Sequence, residues 1–210
     1  MGAEWTRCNN QQARGAPVLC PKDRKTELEM GQLAENLEGF HCADCQGTWI
    51  PAERYELWQA AQGEIIPDAQ ALPEVLEVDF VQSPYDTRAA LCPECQHYLS
   101  RAKVGLEPSF YVERCKNCGG IWCDRGEWNI LTRLGLSATI DRLFTSSWQE
   151  QVRQRELSIQ ERRALREKVG DEVAEAVFDL AAVLEGHPNG DFAVAYLMRR
   201  FSSAGPVQQP

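Results

Sequence analysis

The sequence predicts an α+β protein: two small metal-clasped β-hairpin modules, each followed by a short helix, and an α-helical C-terminal region. Three observations predict it. Cys92, Cys95, Cys115 and Cys118 stand at C-x2-C-x19-C-x2-C spacing. Cys20, Asp23, Cys42 and Cys45 repeat the pattern about 72 residues earlier as C-x2-D-x18-C-x2-C. From Ser137 onward, apolar residues recur at helical spacing.

The later quartet carries the chemistry most plainly. A C-x-x-C turn presents two sulfurs on one knuckle, and a hairpin brings back the second pair, so four thiolates can close a zinc-ribbon tetrahedron. Disulfides fit poorly: the cysteine count, nine, is odd and the C-x-x-C pairs come in twos. A redox C-x-x-C would sit near a βαβ pattern, and none is visible. Rubredoxin-like iron is the remaining alternative for four thiols. Tyr98–Lys103 and Ser109–Arg114 read as the hairpin strands, with Gly105 and Pro108 in the turn. Gly119 and Gly120 suit a tight turn beside the metal. Asp124 reads as an N-cap with Glu127 three residues on, so a short helix should follow.

The earlier copy shares more than ligand positions. Leu19-Cys20-Pro21 matches Leu91-Cys92-Pro93, and Cys45-Gln46-Gly47-Thr48-Trp49 matches Cys118-Gly119-Gly120-Ile121-Trp122. Glu53 and Leu57 are paired with Glu127 and Leu131. The pattern reads as an internal repeat. Pro51 takes the helix-start role in this copy. Asp23 holds the repeat's equivalent ligand position, and a carboxylate is a legitimate zinc ligand. His41 and Cys8 compete for that position, and a degenerate, metal-free site is the bland alternative.

The string Cys-Pro-x-Cys…Cys-Lys-Asn-Cys-Gly-Gly-Ile-Trp-Cys-Asp-Arg-Gly-Glu resembles the bacterial transcription factor IIB-type zinc-ribbon family. Members typically read C-P-x-C or C-P-x-D, then C-x-x-C-x-G-x-W-L-D-R-G-E. The resemblance covers about residues 18–60 and 90–135. It implies a metal-binding module and supports Asp23 as a ligand through the C-P-x-D form. The chain departs from the pattern at Cys123, where Leu is usual, and at Ile50-Pro51-Ala52. The resemblance fixes no partner.

The remaining cysteines read as non-ligands. Cys123 follows Trp122 as a small buried hydrophobe, and Cys8 as an exposed thiol in a polar stretch. Trp49 and Trp122 read as covers for the hairpins that shield the metals, with base stacking as the sharper alternative.

Residues 1–17 read as a tail, 18–62 as the first zinc ribbon, 63–90 as a structured linker and 91–135 as the second ribbon. Residues 136–201 read as helical and 202–210 as a disordered tail. Within the linker, Leu76–Phe80 alternates like a strand. Ile140, Leu143, Phe144, Trp148 and Val152 predict one helix from Ser137 to about Val169, ended by Gly170. Asp171–Glu185 should be a second helix with Val173, Val177, Leu180 and Leu184 on one stripe. Residues 186–190 form a turn, and Asp191 caps a last helix, Phe192–Arg200.

Composition narrows the function. The formal charge is −9, and residues 1–135 hold 13 Lys/Arg against 20 Asp/Glu, whereas nucleic-acid binders usually carry a basic footprint. No apolar stretch approaches a membrane span, and the first residues lack an apolar secretory core, so a cytoplasmic location is expected. No phosphate loop or nucleophile motif appears, and both metal sites have four protein ligands with no open position, so no catalytic residues are expected. The expectation is a non-catalytic zinc-binding adaptor with two Zn2+ per chain, bound to an unidentified protein partner or self-associating through its C-terminal helices. The alternative is a nucleic-acid or transcription-machinery binder using the hairpin tips and the Arg162/Arg163 helix.

Overall fold

The computed structural model describes residues 17–63, 68–73 and 80–203. Cys8 and most of the Leu76–Phe80 stretch lie outside them. Six strands form one antiparallel sheet: β1 (Leu28–Ala34), β2 (Leu37–Cys42), β3 (Thr48–Ile50), β4 (Leu99–Lys103), β5 (Tyr111–Cys115) and β6 (Ile121–Cys123). Their order is β1-β2-β3-β6-β5-β4, so the two halves mirror each other about β3 and β6. Among the described residues the α-helices are α1 (Ala52–Ala60), α2 (Glu127–Arg133), α3 (Ile140–Leu143), α4 (Ser146–Val169), α5 (Asp171–Glu185) and α6 (Gly190–Ser203). The chain divides into two compact units between Glu156 and Leu157.

The first unit is organised by the two faces of the sheet. Side chains alternate along a strand, so each strand can feed two cores. On one face Cys20, Cys42, Cys45, Cys92 and Cys115 cluster with Leu28, Leu99, Trp49 and Trp122. On the other, Ile50, Val112, Ile121 and Cys123 meet Tyr55 of α1, Trp128 and Leu131 of α2, and Ile140 and Leu143 of α3. The two hairpin modules thus share a sheet and both of its cores.

The β3–β6 seam explains why the halves join. Trp49 lies opposite Trp122 in register. Both are fully buried. Trp122 lies where a Cβ on Gly47 would be, and Trp49 where a Cβ on Gly120 would be. Each indole therefore covers the knuckle glycine of the other hairpin, not its own. Such burial leaves neither ring available for base stacking.

The helical face is held by polar ties. Tyr55 Oη donates to Ser137 O at 2.9 Å and accepts from Ile140 N at 3.1 Å. Arg155, near the end of the first unit, donates to Ala69 O and Gln70 O at 3.1 Å. Leu57 is exposed while Leu131 is buried, and Glu53 is exposed while Glu127 is buried. The pairing of those positions between the two halves therefore does not extend into the helices. Tyr55 and Trp128 are the buried aromatics of α1 and α2.

Two helix expectations change. The single helix from Ser137 is broken, because Thr145 Oγ1 accepts from Trp148 N and starts α4 afresh at Ser146. The last helix begins earlier and ends later than Phe192–Arg200, running over Gly190–Ser203 and so taking up residues 202 and 203 of the expected tail.

The interlocked glycines give a stability test. Gly47→Ala and Gly120→Ala should each cost about 1–3 kcal/mol, the usual range for overpacking a filled site. Gly63→Ala should be near neutral, since nothing lies within 4 Å of its added Cβ. Urea unfolding of the three variants checks this.

Candidate metal centres and the charged seam beside them

Four knuckles project from the sheet, and they are built alike. In each, the first ligand's carbonyl accepts from the residue four positions on: Arg24 N to Cys20 O, Gln46 N to Cys42 O, Gln96 N to Cys92 O and Gly119 N to Cys115 O, all 2.8–3.0 Å. Those four donors all take positive φ, at 60° for Arg24, Gln46 and Gln96 and 84° for Gly119. Only one is a glycine. This conformation turns the amides of the knuckle toward the sulfur, as in Cys45 N to Cys42 Sγ at 3.4 Å.

In the second half, Cys92, Cys95, Cys115 and Cys118 offer ligand atoms that all lie within 4.8 Å of one another. Cys92 Sγ is 3.5 Å from Cys118 Sγ, and Cys95 Sγ 3.4 Å from Cys115 Sγ. A zinc tetrahedron with bonds of about 2.3 Å has S···S edges of about 3.8 Å, whereas a disulfide needs about 2.05 Å. The described cysteines are all free thiols. The donor set therefore fits a tetrahedral metal.

The first half gathers Cys20, Cys42 and Cys45 in the same way, with Cys20 Sγ 3.6 Å from Cys45 Sγ. Asp23 stands beside this three-thiol cluster, with Oδ2 4.0 Å from Cys42 Sγ. Its Oδ1 accepts from Lys25 N and Thr26 N, and its Oδ2 from Thr26 Oγ1 at 2.7 Å. Burial opposes ionisation of Asp23, but these donors outweigh it and hold the carboxyl below its ordinary value. The knuckle is one residue longer here: Cys20 N donates to Thr26 O, while Cys92 N donates to His97 O. The Asp23 carboxylate closes that longer loop. His41, one residue before Cys42 on β2, bonds Thr48 Oγ1 through Nδ1 at 2.9 Å.

Thiol acidity is split within each cluster. The hydrogen bond shared with Cys45 lowers the Cys20 thiol to about 6 and pushes Cys45 itself up. Burial works against the Cys95 thiolate, yet Asn117, the His97 backbone and the neighbouring thiols bring it to about 6. The hydrogen bond shared with Cys92 raises Cys118, and burial lifts Cys115 to about 11. Full burial raises Cys123 well above an ordinary thiol, which suits an inert core residue.

Sequence reasoning missed a buried charge network on the same face. Lys22 Nζ donates to Glu113 Oε1 at 2.6 Å and to the carbonyls of Tyr85 and Arg88 at 3.2 and 3.4 Å. It also lies 3.4 Å from Asp124 Oδ2. Asp124 Oδ1 accepts from Trp122 Nε1, so it does not cap α2 as expected; Glu127 Oε2 instead reaches back to Asp124 N at 2.8 Å. Asp86 accepts from Tyr111 N, and its carbonyl accepts from Arg101. Asp86, Asp124 and Glu127 converge, all buried. Burial raises Glu113 to about 7 despite Lys22, and raises Asp124 and Glu127 as well. The one signal in sequence was the knuckle position two after the first ligand, which is Lys22 in one copy and Glu94 in the other.

A family model described as transcription factor zinc-finger, the TFIIB-type zinc ribbon, matches residues 91–133. That span holds the four-thiol cluster, the β4–β5 hairpin, β6 and α2. No curated protein and no solved structure matches the chain.

Two outcomes follow. Zinc retention should fall steeply once pH drops below about 6, because Cys20 and Cys95 then also take up protons that compete with the metal. A chromogenic chelator followed across pH 5–8 reads this out. Lys22→Ala should cost about 3–5 kcal/mol by leaving Glu113 and Asp124 buried without their cation. Adding Glu113→Gln should recover part of that loss in urea unfolding.

Proposed function

We propose that the chain is a non-catalytic zinc-binding adaptor, with two structural zinc ions per chain. Cys92, Cys95, Cys115 and Cys118 hold one; Cys20, Cys42 and Cys45 hold the other, with Asp23 as fourth ligand. The observation that carries this reading is the cluster of four cysteine sulfurs, all within 4.8 Å of one another, a full tetrahedral donor set of the kind that favours a structural over a catalytic metal. Zinc, when bound, supplies a covalent-strength tie between two knuckles. The residues around it do the rest: the positive-φ knuckle positions aim the thiols, and Trp49 and Trp122 keep water away from that face.

The tandem-ribbon reading is supported by the mirrored strand order and the four alike knuckles. Asp23 as ligand is supported by its Oδ2 standing 4.0 Å from Cys42 Sγ and by a carboxyl held below its ordinary value. The adaptor reading is favoured over nucleic-acid binding by the formal charge of −9. Two arginines of the basic stretch of α4 are engaged within the second unit: Arg162 and Arg166 lie over the Phe178 ring, and Arg166 pairs with Glu175. Among the described residues no helix is long and apolar enough to cross a membrane.

Metal analysis of the purified full chain tests the zinc reading. Two zinc per chain is expected, falling to one in Cys115→Ser and in Cys42→Ser. One zinc in the unaltered chain would remove the Asp23 site, and iron would overturn the metal. A salt titration of DNA and RNA binding tests the partner class; tight, salt-sensitive binding would reject the adaptor.

A further inference from the structure

Each metal knuckle is packed by the opposite hairpin. Gly47 lies two residues after Cys45, and the indole seated on it is Trp122. Gly120 lies two residues after Cys118, and the indole seated on it is Trp49. Glu94 stands inside the knuckle between Cys92 and Cys95, and its Oε1 accepts from Trp49 Nε1 at 3.0 Å. Lys22 stands inside the knuckle between Cys20 and Asp23, and its Nζ donates at 2.6 Å to Glu113, two residues before Cys115 on β5. Each of these contacts joins a knuckle of one half to a residue of the other. Two independent ribbons would seat each tryptophan on its own glycine and keep each knuckle charge in its own half.

We propose that the two zinc ions bind with positive coupling, each held more tightly when the other site is filled, and that Trp49–Glu94 and Lys22–Glu113 carry the coupling across the β3–β6 seam. The proposal rests on the two-zinc reading and adds what passes between the sites. Modules this small hold their shape through the metal, so filling a site is also a folding step. Ordering one knuckle fixes part of the wall of the other, and the second ion enters a site already ordered in part. Burial makes the links effective. The side chains of Trp49, Lys22 and Glu113 are at most 1% exposed, so a link broken there leaves a buried group unsatisfied. The two links run in opposite senses, one from each knuckle, and coupling between two binding sites is reciprocal.

Zinc competition against a chromogenic chelator, on the full chain at fixed pH, is the test. Cys42→Ser leaves the second site and Cys115→Ser the first, so each reports one site beside an unfilled neighbour. The product of the two zinc affinities of the unaltered chain should exceed the product of these single-site affinities by about 5–150-fold. Two further variants keep every ligand: Glu94→Ala removes the acceptor of one link, and Trp49→Phe removes its donor. In either background the same titrations should show that excess shrunken several-fold. Glu94→Gln, which keeps an acceptor for Trp49 Nε1, should preserve it. Two zinc per chain with equal products overturns the coupling and leaves the two-zinc reading intact. An excess unchanged by Glu94→Ala and Trp49→Phe overturns the route assigned to it. Fewer than two zinc in the unaltered chain removes the two-zinc reading, and the coupling with it.

Discussion

Two tryptophans facing each other across β3 and β6 set the architecture of the first unit. Each indole needs a glycine beneath it, and each finds that glycine in the other hairpin. A lone hairpin of this size buries too little apolar surface to be stable by itself. The reciprocal seat joins two such hairpins into a six-stranded sheet with continuous cores on both faces. Strand order, the shared cysteine face and the position of α1 beside residues 137–140 all follow from that pairing.

Polar contacts repeat the exchange. The knuckle of the second site contributes Glu94, which accepts from Trp49 Nε1 at 3.0 Å. The knuckle of the first contributes Lys22, which enters the carboxylates of the second half. The same ladder position thus carries opposite charges in the two copies, and each reaches across the seam. Metal coordination and inter-hairpin packing are coupled through these knuckles. Each knuckle therefore holds a residue of the other half: Glu94 the indole of Trp49, and Lys22 the carboxylate of Glu113.

The gathering of seven cysteines into two clusters was legible because metal chemistry imposes rigid spacing, and the hairpin strands because apolar alternation and Gly-Pro turns frame them. α5 was read to its residue, since Gly170 and Gly186 bracket a clean stripe. The break between α3 and α4 was not, because Thr145 acts as a start signal inside an unbroken apolar rhythm and only a local hydrogen bond reveals it. The charged seam was illegible for a different reason. Lys22, Asp86, Glu113 and Asp124 come from separated segments, and no spacing rule links a knuckle lysine to a strand glutamate 91 positions away. The joined sheet was likewise hidden, although its cause, glycine at equivalent positions of both copies, stood in the repeat.

The two units obey opposite logic, and that contrast bears on function. The first buries Trp49, Trp122, Trp128 and Trp148, five of its clustered cysteines and even Lys22. The second buries almost nothing and displays an ordered apolar seam. Apolar patches of this kind are rarely left open on soluble proteins unless something covers them. The clustered cysteines of the first unit sit where small hairpins bury too little by themselves, whereas the helices of the second unit turn their apolar residues outward.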